Sequence, residues 1–166
     1  MLKIRILTTV LLASGLLLSA CGEKSEGEKA ADKINESINT ATQVATTGEK
    51  QYAEALIFED ELTQGRQKRT LENVNKVIAL FQKAIDSFNS AHSGYRQALD
   101  IHGDNKEQVK LKGKEVITNS IAILESYLAD AKKRQKRWQD FKKTMTSSQS
   151  SSKADRAKKQ DASKKS

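Results

Sequence analysis

The chain of 166 residues contains no proline, one cysteine and two histidines. Without proline, no residue removes an amide donor from the interior of a helix, so long helices are permitted. A single cysteine cannot form a disulfide within the chain. The histidines, His92 and His102, lie ten residues apart, about 15 Å along a helix, so they cannot share one metal ion. Lys, Gln, Ala, Glu and Leu are plentiful and favour helix over strand, so the composition predicts an all-α protein.

The segment from Thr70 to His102 has a continuous helical pattern of apolar and partly apolar residues. The spacing of three and four residues predicts one long helix with a buried seam. A second row at every seventh residue widens the apolar face, so this helix needs two partner helices. Its 33 residues would extend about 50 Å, which predicts an elongated bundle. The first row is Leu71, Val74, Ile78, Phe81, Ile85, Phe88, His92, Tyr95, Leu99 and His102, and the second is Val77, Ala84, Ala91 and Ala98.

A first helix is predicted upstream of this segment, from about 26 to 64. Ser25 and Glu28 have the spacing of a capping box at its start, and Gly65 is placed to end it. Gly48 is a weak point in its middle. The apolar stripe is thin through the Thr-rich centre and comprises Ala31, Ile34, Ile38, Ala41, Ala45, Tyr52, Leu56 and Leu62.

The other boundaries are also predicted by capping patterns. Thr70 is the expected N-cap of the central helix, Gly103 its C-terminal cap, and Asp104 with Glu107 a capping box for a third helix. Because both connections are short, neighbouring helices should be antiparallel, giving an up-down-up three-helix bundle. The bundle is predicted over 26–146, with helices at about 26–64, 70–102 and 105–146. The apolar residues of the third are Val109, Val116, Ile117, Ile121, Leu124, Tyr127, Leu128, Ala131, Trp138, Phe141 and Met145.

The amino terminus has the pattern of a secretory signal peptide, predicted over residues 1–20. Lys3 and Arg5 precede an apolar run, 6–18, which ends in small residues. The run is shorter than the roughly 20 residues of a transmembrane helix. An ordinary signal peptide cleaved near Ala20 is one interpretation, and it would leave a free thiol on a secreted protein.

The sequence Leu18-Ser19-Ala20-Cys21 resembles the lipobox of bacterial lipoproteins. That resemblance implies a diacylglycerol on the thiol of Cys21, cleavage before this residue by signal peptidase II, and an acyl chain such as palmitate on the new amino terminus. Residues 21–25 would then be a lipidated tether on the bilayer. Residue 22 is glycine. In lipoproteins of diderm bacteria, an Asp at this position resembles a signal for retention at the inner membrane. By analogy the absence of Asp here indicates the outer membrane, facing the periplasm, in a diderm host, and otherwise the outer face of the plasma membrane.

Charge is distributed unevenly along the chain, whose formal net charge is +8. Residues 23–62 carry ten acids and four bases, whereas residues 130–166 carry thirteen bases and four acids. Residues 147–166 are rich in Ser and Lys and have little to bury, so they are predicted to form a disordered basic tail. In an up-down-up bundle, Glu59 to Glu61 and the basic run would share the end far from the lipid, where exposed pairs would favour one helix order.

The basic run before the tail is the one candidate binding site. A basic run interrupted by aromatic residues can bind phosphate-rich polymers through charge and stacking. The alternative is a solvated face beside a core tryptophan. Nucleic acid is not the expected partner of a secreted lipoprotein, so an anionic cell-wall polymer or an acidic protein is the natural candidate. The candidate residues are Lys132, Lys133, Arg134, Lys136, Arg137, Trp138, Lys142 and Lys143.

No nucleophile elbow, phosphate-binding glycine loop or metal-ligand spacing occurs in the sequence. We therefore expect no catalytic residues, no metal and no cofactor beyond the covalent lipid. The histidines are interpreted as seam residues with satisfied ring nitrogens. The sequence predicts a non-enzymatic, lipid-anchored envelope protein that acts as a helical spacer or docking module. The alternative is an accessory subunit of an envelope assembly, such as a secretion or exclusion system, and the oligomeric state stays open.

Overall fold

The structure is a computed structural model that describes residues 24–111 and 113–163, with side chains through residue 147. It contains three helices: α1, Glu26–Thr63; α2, Leu71–Asp104; and α3, Lys114–Ser163. The described residues contain no strand. The predicted all-α three-helix fold is confirmed. The predicted signal peptide and Cys21 lie outside the described residues.

The ends of α1 and the start of α2 follow the predicted capping chemistry. The Ser25 amide donates to the Glu28 carboxylate at 2.9 Å, and the Glu28 amide donates to the Ser25 hydroxyl at 3.3 Å. Gly65 has a φ of 75°, a left-handed conformation that suits glycine after a helix. At the start of α2, the Asn73 amide donates to the Thr70 hydroxyl at 3.2 Å. These contacts satisfy amide donors that helix ends otherwise leave unpaired.

Thr70→Ala should lower the free energy of unfolding by about 1 kcal/mol, because the Asn73 amide would lose its capping acceptor. Thr47→Ala is the matched control. Thr47 is exposed inside α1, and its hydroxyl bonds only to the Gln43 carbonyl. Since alanine has the higher helix propensity, the control should be neutral or slightly stabilising. Urea unfolding midpoints measure both, and equal effects would contradict the capping role of Thr70.

The second connection differs from the prediction. Gly103 lies inside α2 and does not cap it, because the helix continues to Asp104. The predicted capping box of Asp104 and Glu107 does not form, and α3 begins only at Lys114, after Gly113 with a φ of 87°. The connection therefore spans residues 105–113, and the predicted helix start at 105 is wrong.

Packing and hydrogen bonding explain this longer connection. The Asn105 amide side chain donates to the Ile101 carbonyl at 2.8 Å, so it satisfies an acceptor at the end of α2. Val109 is buried from within the connection, although it was predicted on a helix. Its burial against apolar side chains of α1 and α2 stabilises the irregular backbone. The cluster comprises Ala30, Ile34, Ala98 and Val109.

The chain divides into two compact units, and each takes a part of every helix. Of the described residues, unit 1 comprises 24–49, 86–111 and 113–128. Within it, Ile34 packs with Ala98, and the Thr42 hydroxyl lies 2.9 Å from the Tyr95 hydroxyl, so α1 and α2 run antiparallel. Phe88 of α2 stacks on Tyr127 of α3, with ring centroids 5.3 Å apart.

Of the described residues, unit 2 comprises 50–85 and 129–163. Within it, Tyr52 lies against Phe81, with ring centroids 6.1 Å apart, and the Lys76 ammonium lies 4.5 Å from the centre of the Phe58 ring. The order of these pairs again makes α1 and α2 antiparallel. The up-down-up order of the helices agrees with the prediction.

The seam of α2 is centred between the two predicted rows. The second row is fully buried: Val77, Ala84, Ala91 and Ala98. Five positions predicted in the first row are only partly buried, and Leu80 is buried instead. The five are Leu71, Ile78, His92, Leu99 and His102. On α3, the prediction that Val116 is in the seam is wrong, because this residue in the first turn is 62% exposed.

Helix α3 continues to Ser163, through residues 147–163 that the sequence places in the tail. This segment has no proline or glycine, and its Lys, Gln, Ala and Arg residues have high helix propensity. The sequence therefore has no helix-terminating residue at or after Ser147. None of the described helices combines the length and the hydropathy that crossing a membrane requires.

Candidate functional site

The centre of the candidate site is Glu59, whose side chain is only 5% exposed. Its carboxylate accepts hydrogen bonds from Arg134 Nη1 at 2.5 Å, Arg137 Nη2 at 2.7 Å and Trp138 Nε1 at 2.9 Å. Arg134 and Arg137 are 29% and 67% exposed. A buried carboxylate is costly unless it is paired and hydrogen-bonded, so these three donors compensate the buried charge of Glu59.

A second carboxylate, Asp130, extends this arrangement. The Tyr52 hydroxyl donates to it, and Arg134 Nε donates to it at 2.8 Å. Burial alone would raise the pKa of Asp130, but the hydrogen bonds from Tyr52 and Arg134 hold that pKa below its ordinary value. Burial, followed by the bond to Asp130, raises the pKa of Tyr52. Burial lowers the pKa of Arg134, but the hydrogen bonds and charges of Asp130 and Glu59 outweigh this effect and raise the pKa above its ordinary value.

Trp138 is part of the core and not of the surface. It is buried, its indole N–H is bonded to Glu59, and its ring meets Phe141 edge-on, with centroids 5.7 Å apart. Arg69, from the connection between α1 and α2, lies 5.9 Å from the centre of the Phe141 ring and donates to the Leu62 carbonyl at 3.0 Å. The stacking surface that the sequence suggested at Trp138 is therefore covered by protein.

The lysines of the run have a different environment from the arginines. Lys132, Lys133 and Lys136 are exposed, and none has an ion-pair partner among the side chains described through residue 147. Lys143 is exposed and pairs with Asp140 at 3.2 Å, and Lys142 is half-buried. The structure thus divides the eight candidate residues into five lysines, all exposed except the half-buried Lys142, and the three residues around Glu59, which are Arg134, Arg137 and Trp138.

Sequence reasoning missed the burial of Glu59, although a signal was available. Glu59 follows Tyr52 and Ala55 and precedes Leu62 at spacings of three and four, so it occupies a seam position. The three consecutive acids at 59–61 obscure this period, because a run of charge is typical of an exposed face. Gln135 has the same status in α3, since it is buried and its amide donates to Gln82 Oε1 at 2.8 Å.

The two histidines do not come together. His92 Nε2 lies 3.1 Å from a carboxylate oxygen of Glu125, and Arg96 Nη2 is 3.5 Å from the same oxygen. The hydrogen bond to His92 is the main reason why the pKa of Glu125 is lowered. His102 is partly buried near the end of α2. In the ranges 24–111 and 113–163, no group of three His, Cys, Asp or Glu residues could hold a metal ion.

Glu49, in unit 1, has one carboxylate oxygen that is not compensated. Its Oε1 atom is buried and has no hydrogen-bond partner within the described structure. Burial raises the pKa of this carboxyl above its ordinary value of 4.5. Burial, followed by the charge of Glu49, also raises the pKa of Tyr127. Ionisation of Glu49 therefore destabilises the folded chain relative to the unfolded chain.

Glu49→Gln should stabilise the protein at pH 7 and have little effect near pH 3.5. A raised pKa in the folded state means that the wild type loses stability as pH rises from about 4.5 through the folded pKa, and the neutral amide removes this loss. Urea titrations at several pH values measure the difference. Glu54→Gln, at an exposed position of α1, is the control. A Glu49→Gln effect that does not change with pH would contradict this interpretation.

Comparison with known protein families, with curated proteins and with solved structures found no match to this chain.

Proposed function

We propose that this chain is a non-enzymatic, lipid-anchored protein of the bacterial envelope, whose helical bundle presents a lysine surface to anionic cell-wall material. Cys21 carries the lipid, and α3 carries the contact residues. The observation that carries the proposal is the exposure of Lys132, Lys133 and Lys136, none of which forms a salt bridge among the described side chains, although the charge of Lys133 acts on Asp130. Their charge is available to an external anion, whereas Arg134 is occupied by Glu59 and Asp130.

The sequence adds the anchor. The charged start, the short apolar run and Leu18-Ser19-Ala20-Cys21 together resemble a lipoprotein signal. Two or three acyl chains exceed what stable membrane attachment requires, at about 0.8 kcal/mol for each buried methylene. A protein with this anchor stays on one bilayer surface, and its bundle faces the aqueous envelope space. An outer-membrane position facing the periplasm is proposed for a diderm host, and the outer face of the plasma membrane otherwise.

Fractionation of wild type and Cys21→Ser from a bacterial host tests the proposal. We expect wild type in the membrane fraction, with an acylated amino-terminal Cys21 by mass spectrometry, and the variant as an unacylated chain outside that fraction. Crosslinking from Lys132, Lys133 and Lys136 should then capture wall material. A Cys21→Ser chain that stays on the membrane, or an unacylated wild type, would overturn the anchor.

A second candidate, an accessory subunit of an envelope assembly, is favoured by two exposed apolar residues on α3. Val116 is 62% exposed and Ile123 is 41% exposed. They are seven residues apart, so they share one side of the helix at a distance of about 10 Å. If this side contacts a partner protein, Val116→Ser with Ile123→Ser should abolish the recovery of one stoichiometric partner. Retention of all crosslinks to wall material by this variant would favour the first proposal.

A further inference from the structure

Three lysines form a row along one side of α3. Lys132, Lys136 and Lys143 follow one another at four and seven residues, so their directions around the helix differ by only about 40°. The row extends about 16 Å along the axis. All three side chains are exposed. Lys143 has a surface partner in Asp140, and exposed pairs of this kind are easily exchanged for another anion.

The row is too long for one small ligand to contact all three lysines. One compact anion could bridge Lys132 and Lys136, which are one turn apart, but it cannot contact all three cations along about 16 Å of helix. A chain of repeating anionic groups can do so, because each cation then meets a different group. Lysine fits this mode, since its ammonium is a hydrated point charge without the fixed fork of arginine. The row therefore suits a linear polyanion that is bound without strict geometry.

The surroundings of the row do not resemble a protein interface. Protein partners usually require a central apolar or aromatic anchor. Among the described side chains, the large exposed apolar residues are Ile57, Val116 and Ile123, and none lies within 132–147. Ile57 is two residues from Glu59, about 200° around α1, so it points away from the side that meets α3. Binding by charge alone needs no such anchor.

The row also lacks what single-stranded nucleic acid prefers. Stacking of bases on aromatic rings contributes much of that affinity. The aromatic residues nearest to the row in sequence are Trp138 and Phe141. Trp138 is buried, and its N–H is bonded to Glu59. Phe141 is partly buried between Trp138 and Arg69. A polymer without bases does not depend on stacking, so the absence of an exposed aromatic ring does not weaken its binding to this surface.

We propose that the row of Lys132, Lys136 and Lys143 binds a linear polyol-phosphate polymer of the envelope through charge alone. Arg134, Arg137 and Trp138 take no part in this binding, because Glu59 occupies them. The inference rests on the proposed function and names the polymer class that its lysine surface meets. Affinity should fall steeply with salt, since binding releases counterions from the polymer.

The test uses the full chain in detergent, with fluorescent poly(glycerol phosphate) of defined length as the probe. We compare K132Q/K136Q/K143Q with K33Q/K106Q/K110Q, which removes the same charge from exposed lysines of unit 1. The row variant should bind at least about tenfold more weakly, and its slope of log K against log salt should be shallower by about 2, at roughly 0.7 for each cation. The control and Arg137→Gln should each stay within about twofold of wild type.

Poly-L-glutamate and oligo(dT) of equal charge complete the comparison, and because the row binds through charge alone, neither should bind more tightly than the polyol phosphate. Equal losses in the two lysine triples would overturn the proposal. Tighter binding of poly-L-glutamate would indicate an acidic protein instead, and tighter binding of oligo(dT) a nucleic acid. Cys21→Ser should bind the probe like wild type. Failure of membrane anchoring with intact binding therefore defeats only the proposed anchor, and failure of the row in an anchored protein defeats only this inference.

Discussion

Arg134→Gln is expected to lower the free energy of unfolding by about 2–3 kcal/mol, because removing one partner of a buried ion pair leaves the other poorly compensated. Arg134 donates to Glu59 at 2.5 Å and to Asp130 at 2.8 Å. The Glu59 side chain, at 5% exposed, cannot replace the lost bond with water. Arg137 and Trp138 continue to donate to it, and this is why the expected loss is below the upper end for a buried charge.

Glu59→Gln should cost less, about 1–2 kcal/mol. The amide oxygen can still accept the hydrogen bond from Trp138, and the two arginines are exposed enough to regain water. The asymmetry follows from which member of the pair is buried. In the double variant, the two losses should overlap by about 1–2 kcal/mol, as they do for residues in direct contact.

Chemical unfolding of the two single variants and the double variant measures these values. Arg96→Gln is the matched control for Arg134→Gln. Its guanidinium is exposed and lies 3.5 Å from Glu125, so the change should cost at most about 1 kcal/mol. Equal losses in Arg96→Gln and Arg134→Gln, or additive losses in the double variant, would contradict a stabilising role for the Glu59 pair.

Gly48→Ala should destabilise the protein by about 1–2 kcal/mol, although alanine is the better helix former. A Cβ atom at Gly48 would lie 2.7 Å from Phe88 Cδ1 and 2.8 Å from Phe88 Cε1. Phe88 is fully buried, and it stacks on Tyr127 with an interplanar angle of 10°. Because this ring is buried and stacked, room for the Cβ requires a shift of the ring, of its stack with Tyr127 or of the backbone.

Two opposing effects decide the sign. Replacing glycine in a helix interior contributes up to about 1 kcal/mol of stability, whereas overpacking a core costs about 1–3 kcal/mol. Gly103→Ala separates them, since a Cβ there meets nothing within 4 Å and Gly103 is helical without a positive φ. This control should be neutral or stabilising. Thermal unfolding of both variants measures the contrast, and a stabilised Gly48→Ala would show that the ring can move away.

The parts of the fold that local chemistry determines were predictable from sequence. The Ser25–Glu28 box, the Gly65 terminus and the Thr70 cap each depend on residues within four positions, and the structure has all three. The connection at 105–113 was not predictable in this way. Its course depends on Val109 reaching Ile34, and that contact joins residues distant in sequence.

The candidate site divides in the same manner. The sequence located the basic run, because charge is visible in a string of residues. It could not show which cations are free, since this depends on the helix that lies opposite. Glu59 meets Arg134 and Trp138 across 75 and 79 positions of sequence. Only the packing of α1 against α3 determines that the arginines serve Glu59 while Lys132 and Lys136 remain at the surface.

The cations that bind Glu59 and the exposed cations of the row belong to different residue types, so they react differently with the same reagents. The donors to Glu59 are arginine and tryptophan, and the exposed cations of the row are lysines. Reagents or enzymes that acylate amines neutralise lysine and leave guanidinium groups charged. Acetylation of the surface would therefore change what the protein attracts while the ion pairs around Glu59 stay intact. Substitutions among Lys132, Lys136 and Lys143 can likewise change surface charge without loss of the fold.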